Sequence, residues 1–155
     1  MSYVQDHLLA GETIAWRGTI HWKVYLAPVL LSLFVFMPLM VLAFANQLPL
    51  VAIAPALVIV IAFGVAALRR GASEFAVTNK RVIVKVGVLR TRSIELLLSK
   101  VEGIGVTQGL AGKLFGYGEI VITGSGGTKE QFSGIQSPFK FRQAVQTAAD
   151  ALTSG

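Results

Sequence analysis

The feature that most constrains this chain is a run of 45 consecutive residues, 24–68, without Asp, Glu, Lys, Arg or His. All 22 acidic and basic side chains lie in the rest of the 155-residue sequence. A helix that crosses the hydrocarbon of a bilayer needs about 20 apolar residues, so the run is long enough for two crossings. We therefore predict an integral membrane protein.

The run has one polar interruption, Asn46-Gln47, shortly before Pro49. This predicts a transmembrane hairpin over 24–68, with one helix at about 24–45 and another at about 49–68. Lys and Arg close to helix ends mark the cytoplasmic side of a membrane. The turn of the hairpin contains no Lys or Arg. Both outer ends are flanked by them: Arg17, Lys23, Arg69 and Arg70. We expect a multi-pass protein of the cell inner (plasma) membrane with both termini in the cytoplasm.

Three aromatic residues near the entry to the first helix are of the kind that favours the headgroup zone: Trp16, Trp22 and Tyr25. For Trp22, packing against protein is the alternative. A cleaved signal peptide ending at Ala43-Phe44-Ala45 is disfavoured, because the 23 residues before the apolar run are too long for an n-region and carry acidic side chains. A soluble protein with two buried helices is disfavoured because such helices have no reason to exclude charge for so long.

After Gly71 the pattern changes to short alternating apolar runs separated by glycine, which is typical of strands and turns. The predicted strands are 74–78, 81–86, 89–97, 100–108, 118–123 and 129–132, with one helical turn at 110–115. Ser137-Pro138 predicts the start of a last helix. Its apolar residues share one face: Phe141, Ala144, Val145, Ala148 and Leu152. The predicted fold is α+β, with a segment 1–23, the hairpin, and a cytoplasmic domain 71–155 of six to seven antiparallel strands covered by that helix.

Residues 74–90, EFAVTNKRVIVKVGVLR, resemble the opening of the bacterial pleckstrin-homology (PH) like domain of small membrane proteins of the YdbS-like type. The segments 98–102 (LSKVE), 114–118 (LFGYG) and 11–22 are also similar to that family. The resemblance implies a split β-barrel capped by the last helix. Many relatives carry more than one such domain, whereas this chain has one.

The sequence contains no pattern that indicates catalysis. Cysteine is absent, which excludes disulfides and thiolate metal sites. The glycine-rich stretches lack the spacing of dinucleotide or P-loop motifs. His7 and His21 are isolated, and the acidic residues of the domain are scattered singly. We predict a protein that is not an enzyme and has no cofactor and no metal.

The net charge of +6 arises entirely from residues 69–155. Five cations lie at the ends of the second and third predicted strands: Lys80, Arg81, Lys85, Arg90 and Arg92. Such a set attracts anionic phospholipid or an acidic partner beside a bilayer. The alternative is a solvated strand edge whose charges discourage strand pairing. Nucleic acid is not expected, because no aromatic residues interleave with the basic ones.

Together these features predict a membrane-anchored PH-like interaction or scaffold module. We expect it to dock a protein partner or anionic lipid headgroups at the cytoplasmic face and to form a homo-oligomer. Self-assembly is suggested by alanines at small-xxx-small spacing, Ala52/Ala56 and Ala62/Ala66. The alternative function is an accessory subunit of a transporter or envelope-stress membrane complex, which would co-purify with another membrane protein.

Overall fold

The computed structural model describes residues 3–88 and 90–153. The chain divides into two compact units, one formed by Trp22–Arg70 and the other by Met1–His21 together with Gly71–Gly155. The second unit is therefore made from both ends of the chain, and the first is an insertion into it.

The inserted unit is a helical hairpin. Its first apolar helix, Trp22–Ala45, consists of a 3-10 turn (Trp22–Tyr25), α2 (Leu26–Leu31), a π turn (Ser32–Phe36) and α3 (Met37–Ala45). Its second apolar helix, Leu50–Gly71, comprises most of a 3-10 turn (Pro49–Ala52) and the whole of α4 (Ile53–Gly71). Both helices are long and apolar enough to cross a membrane, and only 11% of an 18-residue apolar stretch in each helix is buried. The predicted pair of long apolar helices is confirmed.

A proline and a glutamine shape this hairpin. Pro38 has no amide hydrogen, and its ring collides with the carbonyl four residues earlier in a regular α-helix. The π turn directly before it widens the helix at that point, with the amide of Met37 bonded to the carbonyl of Ser32. After Ala45, Gln47 adopts a φ of 57°. This left-handed residue ends the first apolar helix and reverses the chain.

Among the described residues, the other unit has seven strands in two antiparallel sheets. The first sheet has the order β1 (Ile14–Gly18), β2 (Glu74–Thr78), β3 (Arg81–Val86), β4 (Arg92–Leu97). The second has the order β5 (Val101–Thr107), β6 (Tyr117–Gly124), β7 (Lys129–Gln136). The helices are α1 (Tyr3–Asp6), α5 (Leu110–Phe115) and α6 (Pro138–Thr153), and a 3-10 turn, Leu98–Lys100, joins β4 to β5. The predicted α+β fold with a C-terminal helix is confirmed.

Strands β1 and β2 pair like the arms of a β-hairpin, although residues 19–73 lie between them. Gly18 lies opposite Phe75, and Ile14 lies opposite Thr78. The two apolar helices therefore occupy the place of the hairpin loop. The sequence did not predict β1: residues 1–23 were expected to stand apart from the domain at 71–155, whereas the structure places part of them in the sheet.

After β1 the chain crosses to the second sheet. Ile20 forms a bridge with Ile135 of β7, and the amide of His21 donates to the carbonyl of Gly134 at 2.8 Å. The two sheets are linked by these bonds at one corner and by the chain between β4 and β5 at another. This is the arrangement of the split barrel that the family resemblance implied.

The core of this unit is formed by the inner faces of both sheets and one face of α6. The rings of Phe75 and Phe132 meet edge to face at a centroid distance of 6.0 Å. Helix α6 begins at Pro138, as predicted, and buries Phe141 and Val145 against the strands. The predicted apolar face of the last helix thus covers the core at Phe141, Val145 and Ala148, whereas its last predicted member, Leu152, is 49% exposed.

The third predicted strand begins later than expected. Its expected first residue, Leu89, lies outside the described residues, and β4 begins at Arg92. Gly87 turns the chain after β3 with a φ of 104°. A Cβ at this position would lie 2.2 Å from the carbonyl oxygen of Arg90, so the turn requires glycine.

Candidate docking site

The turn between β2 and β3, residues 78–81, holds the N-terminal segment, residues 7–13, against the domain. The side chain of Asn79 accepts a hydrogen bond from the amide of Thr13 at 2.9 Å. The amine of Lys80 donates to a main-chain carbonyl of the same segment at 2.9 Å. The Thr-Asn-Lys-Arg sequence that carries the family resemblance is therefore a clamp for the chain that leads into β1.

The centre of this clamp is the buried carboxylate of Glu12. It accepts hydrogen bonds from Nε and a terminal nitrogen of Arg81, both at 2.9 Å, from the hydroxyl of Thr78 at 2.8 Å and from the amide of Leu9 at 2.7 Å. Burial alone would raise the pKa of Glu12, but these hydrogen bonds outweigh it and lower the pKa from 4.5 to about 2. Glu12 is thus held as a buried anion.

Each guanidinium nitrogen of Arg81 donates a hydrogen bond to an oxygen atom. Besides Glu12, its guanidinium binds the carboxylate of Glu95 and donates to the carbonyl of His7 at 2.7 Å. The hydrogen bond to Glu12 raises the pKa of Arg81 further. The residue is only 9% exposed, so it is an internal cation and not part of an exposed basic surface.

Acid is expected to weaken the domain through Glu12. The folded-state pKa lies below the unfolded value, so the stability that the group contributes is fully present above about pH 4.5 and is lost as the pH falls towards 2. The difference corresponds to about 3 kcal/mol. Denaturant unfolding of the detergent-solubilised chain, followed by tryptophan fluorescence between neutral pH and pH 2, measures this loss.

The control for that series is Glu12→Gln, which has the same shape and cannot titrate. We expect the variant to be less stable near neutral pH and its stability to change much less over the acid range. An equally steep acid dependence in the Glu12→Gln variant would show that other groups cause it.

The other predicted cations of this hairpin have separate surroundings. The amine of Lys85 lies over the ring of Tyr3, 4.3 Å from its centroid. Arg92 forms an ion pair with Glu130 of β7. Arg90 is exposed near the tip of the hairpin. The structure therefore does not bring the predicted set together as one exposed patch.

The four cations predicted to flank the membrane helices divide between the two units. Arg17 lies on β1, with its guanidinium 3.5 Å from the carboxylate of Glu74. Lys23 lies in the first turn of the first apolar helix. Arg69 and Arg70 lie in the last turn of α4, where positive charge also complements the helix dipole.

The three predicted aromatic anchors also divide. Trp16 lies on β1 and packs against the barrel core, with its ring edge to face on Phe141 at a centroid distance of 5.5 Å. Trp22 and Tyr25 lie in the first turn of the first apolar helix. Trp16 is thus a packing residue of the domain, whereas the other two lie at the helix entry.

A groove of about 680 Å³ runs between the edge strand β1 and helix α6. The indole of Trp16 forms part of its wall, and small side chains of α6 leave the space open. The residues that shape it are Ala15, Trp16, Ala144, Thr147, Ala151 and Leu152. Its surface is mostly apolar, so it suits an apolar side chain rather than a charged headgroup.

A second hollow of about 490 Å³ continues the groove along β1. The two share Trp16 and Lys140, and the second also contains Arg17 and Ser137. This end is polar, and because Arg17 is paired with Glu74, Lys140 is the cation that would bind a ligand carboxylate. The whole site therefore has an apolar end and a basic end, which favours a ligand with an apolar side chain and a carboxylate.

Gly18 allows the wall of the groove to form. A Cβ at this position would lie 2.2 Å from the indole of Trp16, so no other residue lets the ring lie along β1. Sequence reasoning missed this site because it did not predict β1. The available signal was the alternation in Ile14–Gly18, where Ile14, Trp16 and Gly18 are the less exposed positions.

The described residues 3–88 and 90–153 contain no group of three or more His, Asp or Glu side chains placed to hold a metal ion. The ionisable side chains that lie closest together in the clamp, Glu12, Arg81 and Glu95, bind one another. The groove is accordingly the site that we take as the candidate for function.

Residues 24–149 match the family model described as Bacterial PH domain. A search of curated proteins finds no match. The family match includes both apolar helices and most of the barrel, and it begins after β1.

Proposed function

Because this chain belongs to the bacterial PH domain family, we propose that it works as a non-enzymatic interaction module held at a membrane by its two apolar helices. The proposal has two parts, the anchor and the docking site. The observation that carries the docking site is the groove between β1 and α6.

The anchor is supported by the apolar surface of the hairpin. Large side chains on both helices are mostly exposed, among them Phe34 at 70%, Leu50 at 80% and Val60 at 68%. Exposed apolar area costs about 25 cal/mol per Å² in water, so a surface of this extent favours lipid. We propose that both helices cross the inner (plasma) membrane.

The connection of the hairpin to the domain supports the proposed orientation. Both ends of the insertion join strands that are paired with each other, β1 and β2. An even number of crossings returns the chain to the side from which it left. The basic residues at the outer ends, Lys23, Arg69 and Arg70, support the proposal that this side is the cytoplasm.

The docking partner that the groove favours is a protein segment. An apolar side chain fits between Trp16 and the alanines of α6, and a carboxylate fits beside Lys140 at the polar end. Headgroup binding by the basic hairpin is the weaker proposal, because Arg81 is buried and Arg92 is paired. Such binding would use Arg90, which is exposed, because the amine of Lys80 donates to the N-terminal segment.

The burial of two alanines removes the support that their spacing gave to a homo-oligomer formed through the membrane helices. Of the alanines at small-xxx-small spacing, Ala52 and Ala66 are each only 4% exposed in the single chain, so they are not available to a second copy. An accessory subunit would use the groove for another membrane protein. The mass of the detergent-solubilised protein distinguishes the two, because only self-assembly gives multiples of one chain.

Blocking the groove is expected to abolish docking. Ala151→Trp places an indole in the groove from an exposed position of α6. We expect peptides selected from a random library on the full chain in nanodiscs to carry a large apolar residue close to Asp or Glu. Their affinity should fall at least about tenfold for Ala151→Trp, measured by fluorescence anisotropy.

The matched control is Gln146→Trp, which adds the same side chain at an exposed α6 position outside the groove. It should leave peptide affinity unchanged, and Lys140→Glu should weaken the peptides that contain a carboxylate. Selected peptides that bind the Ala151→Trp and parent chains equally would show that the groove is not the docking site.

A further inference from the structure

We propose that helix α5 and the start of α6 form a second membrane contact, in which Leu110, Leu114 and Phe139 insert into the lipid surface. The occupant is the bilayer itself, at the boundary between headgroups and acyl chains. The inference rests on the proposed membrane anchor, and it assigns a role to exposed apolar side chains that do not line the groove.

Helix α5 presents its leucines to the outside. Leu110 is 88% exposed and Leu114 is 78% exposed, and the two lie one helical turn apart on the same face. The opposite side of the helix is Gly112, which is buried against the main chain at Tyr117. Because α5 packs against the domain through Gly112, its two leucines point away from the domain.

The backbone around α5 holds this surface in place. The side-chain amide of Gln108 donates to the carbonyls of Gly112 and Tyr117, at 3.3 and 2.8 Å. Gly116 ends the helix with a φ of 75°, and its carbonyl accepts a hydrogen bond from the amide of Ser137 at 2.9 Å. The exposed leucines are therefore presented by a fixed turn.

Phe139 belongs to the same end of the domain. It lies two residues after Ser137, whose amide is bonded to the end of α5, and its side chain is 55% exposed. Exposed Leu and Phe side chains gathered at one end of a domain are typical of an interaction or membrane surface. Leu110, Leu114 and Phe139 are hereafter the apolar tip.

The apolar tip lies where the chain leaves the domain for the first apolar helix. The ring of Tyr117, which follows α5, lies 5.1 Å from the ring of His21, centroid to centroid. The next residue, Trp22, begins that helix. His21 therefore connects the end of the domain that carries the apolar tip to the proposed membrane helix, and exposed Leu and Phe favour insertion at the boundary between headgroups and acyl chains.

Charge favours a lipid surface over a second copy of the chain. Lys113 lies beside the leucines on α5, and Lys140 follows Phe139 directly. Both are exposed. Apolar side chains interspersed with lysine are the pattern of interfacial segments that bind anionic bilayers. Two copies of a basic tip would repel each other.

The absence of cysteine from this chain allows a direct test, because each introduced cysteine carries a single label. The full chain is labelled with an environment-sensitive fluorophore at Leu114→Cys, Phe139→Cys or Ser125→Cys and reconstituted in phosphatidylcholine–phosphatidylglycerol vesicles. Ser125 is the control, since it is exposed and lies beyond the end of β6 opposite Tyr117. Quenching by spin-labelled lipid and by aqueous iodide is compared at each site.

We expect lipid quenching to be several-fold stronger at residues 114 and 139 than at 125, with iodide showing the reverse order. Equal iodide quenching at all three sites would overturn the proposal, and so would protection from both quenchers at 114, which would indicate a protein contact. A label at Phe34→Cys separates these results from failure of the anchor. If residue 34 is not quenched by lipid, the membrane span itself is wrong.

Discussion

Removing residues 22–70 and joining His21 to Gly71 through a short flexible linker is expected to leave a folded, water-soluble barrel. The apolar helices stand in place of a β-hairpin loop, because Gly18 of β1 is paired with Phe75 of β2. A linker of about eight Gly and Ser residues closes such a loop at little entropic cost. The joined protein keeps the clamp, the groove and the whole barrel core.

The fragment 71–155 alone is expected not to fold. It lacks β1, which leaves β2 paired only with β3, and it lacks Glu12, which leaves the guanidinium of Arg81 without its main partner. Loss of one partner of a buried ion pair costs about 3–5 kcal/mol, a large part of the total stability of a small domain.

The comparison is made by circular dichroism and by denaturant unfolding of the two proteins in detergent-free buffer. The joined protein should unfold in one cooperative transition, and the fragment should show none. A cooperative transition in the fragment 71–155 would show that the N-terminal strand is dispensable, and an aggregated joined protein would show that the hairpin is required for folding.

The helical hairpin could be predicted from the sequence because its cause is local. A long uncharged run and the polar interruption at Asn46-Gln47 specify two apolar helices whatever surrounds them. The strands after Gly71 and the last helix could be predicted for the same reason, since period and capping residues are read within a few positions. The closure of the strands into a split β-barrel was implied by the family resemblance and not by the strand pattern.

The clamp and the groove could not be predicted because they depend on residues distant in the sequence. Arg81 and Glu12 are 69 positions apart, and the pairing turns an expected surface cation into a buried one. Trp16 was placed at the membrane by its nearness to the apolar run, whereas it lines a groove against α6. Both involve the segment before the apolar run, whose one strand, β1, shows its alternation over only five residues.

Replacing Arg81 with methionine is expected to lower the free energy of unfolding by about 3–5 kcal/mol. The change keeps most of the side-chain volume and leaves the carboxylate of Glu12 buried with no cation beside it, and Glu95 loses its partner as well. Denaturant unfolding of the full chain in detergent, or of the joined soluble protein, measures the loss at neutral pH.

The matched control is Arg92→Met, which removes an arginine of the neighbouring strand whose ion pair with Glu130 is largely in solvent, so we expect a loss below about 1 kcal/mol. The double variant Glu12→Gln, Arg81→Met should be less destabilised than the sum of the single changes, because removing both partners leaves no unpaired buried charge. Equal small losses for Arg81→Met and Arg92→Met would mean that the clamp contributes nothing to the barrel. A large loss confined to Arg81 would instead tie the stability of the barrel to the segment that precedes the membrane helices.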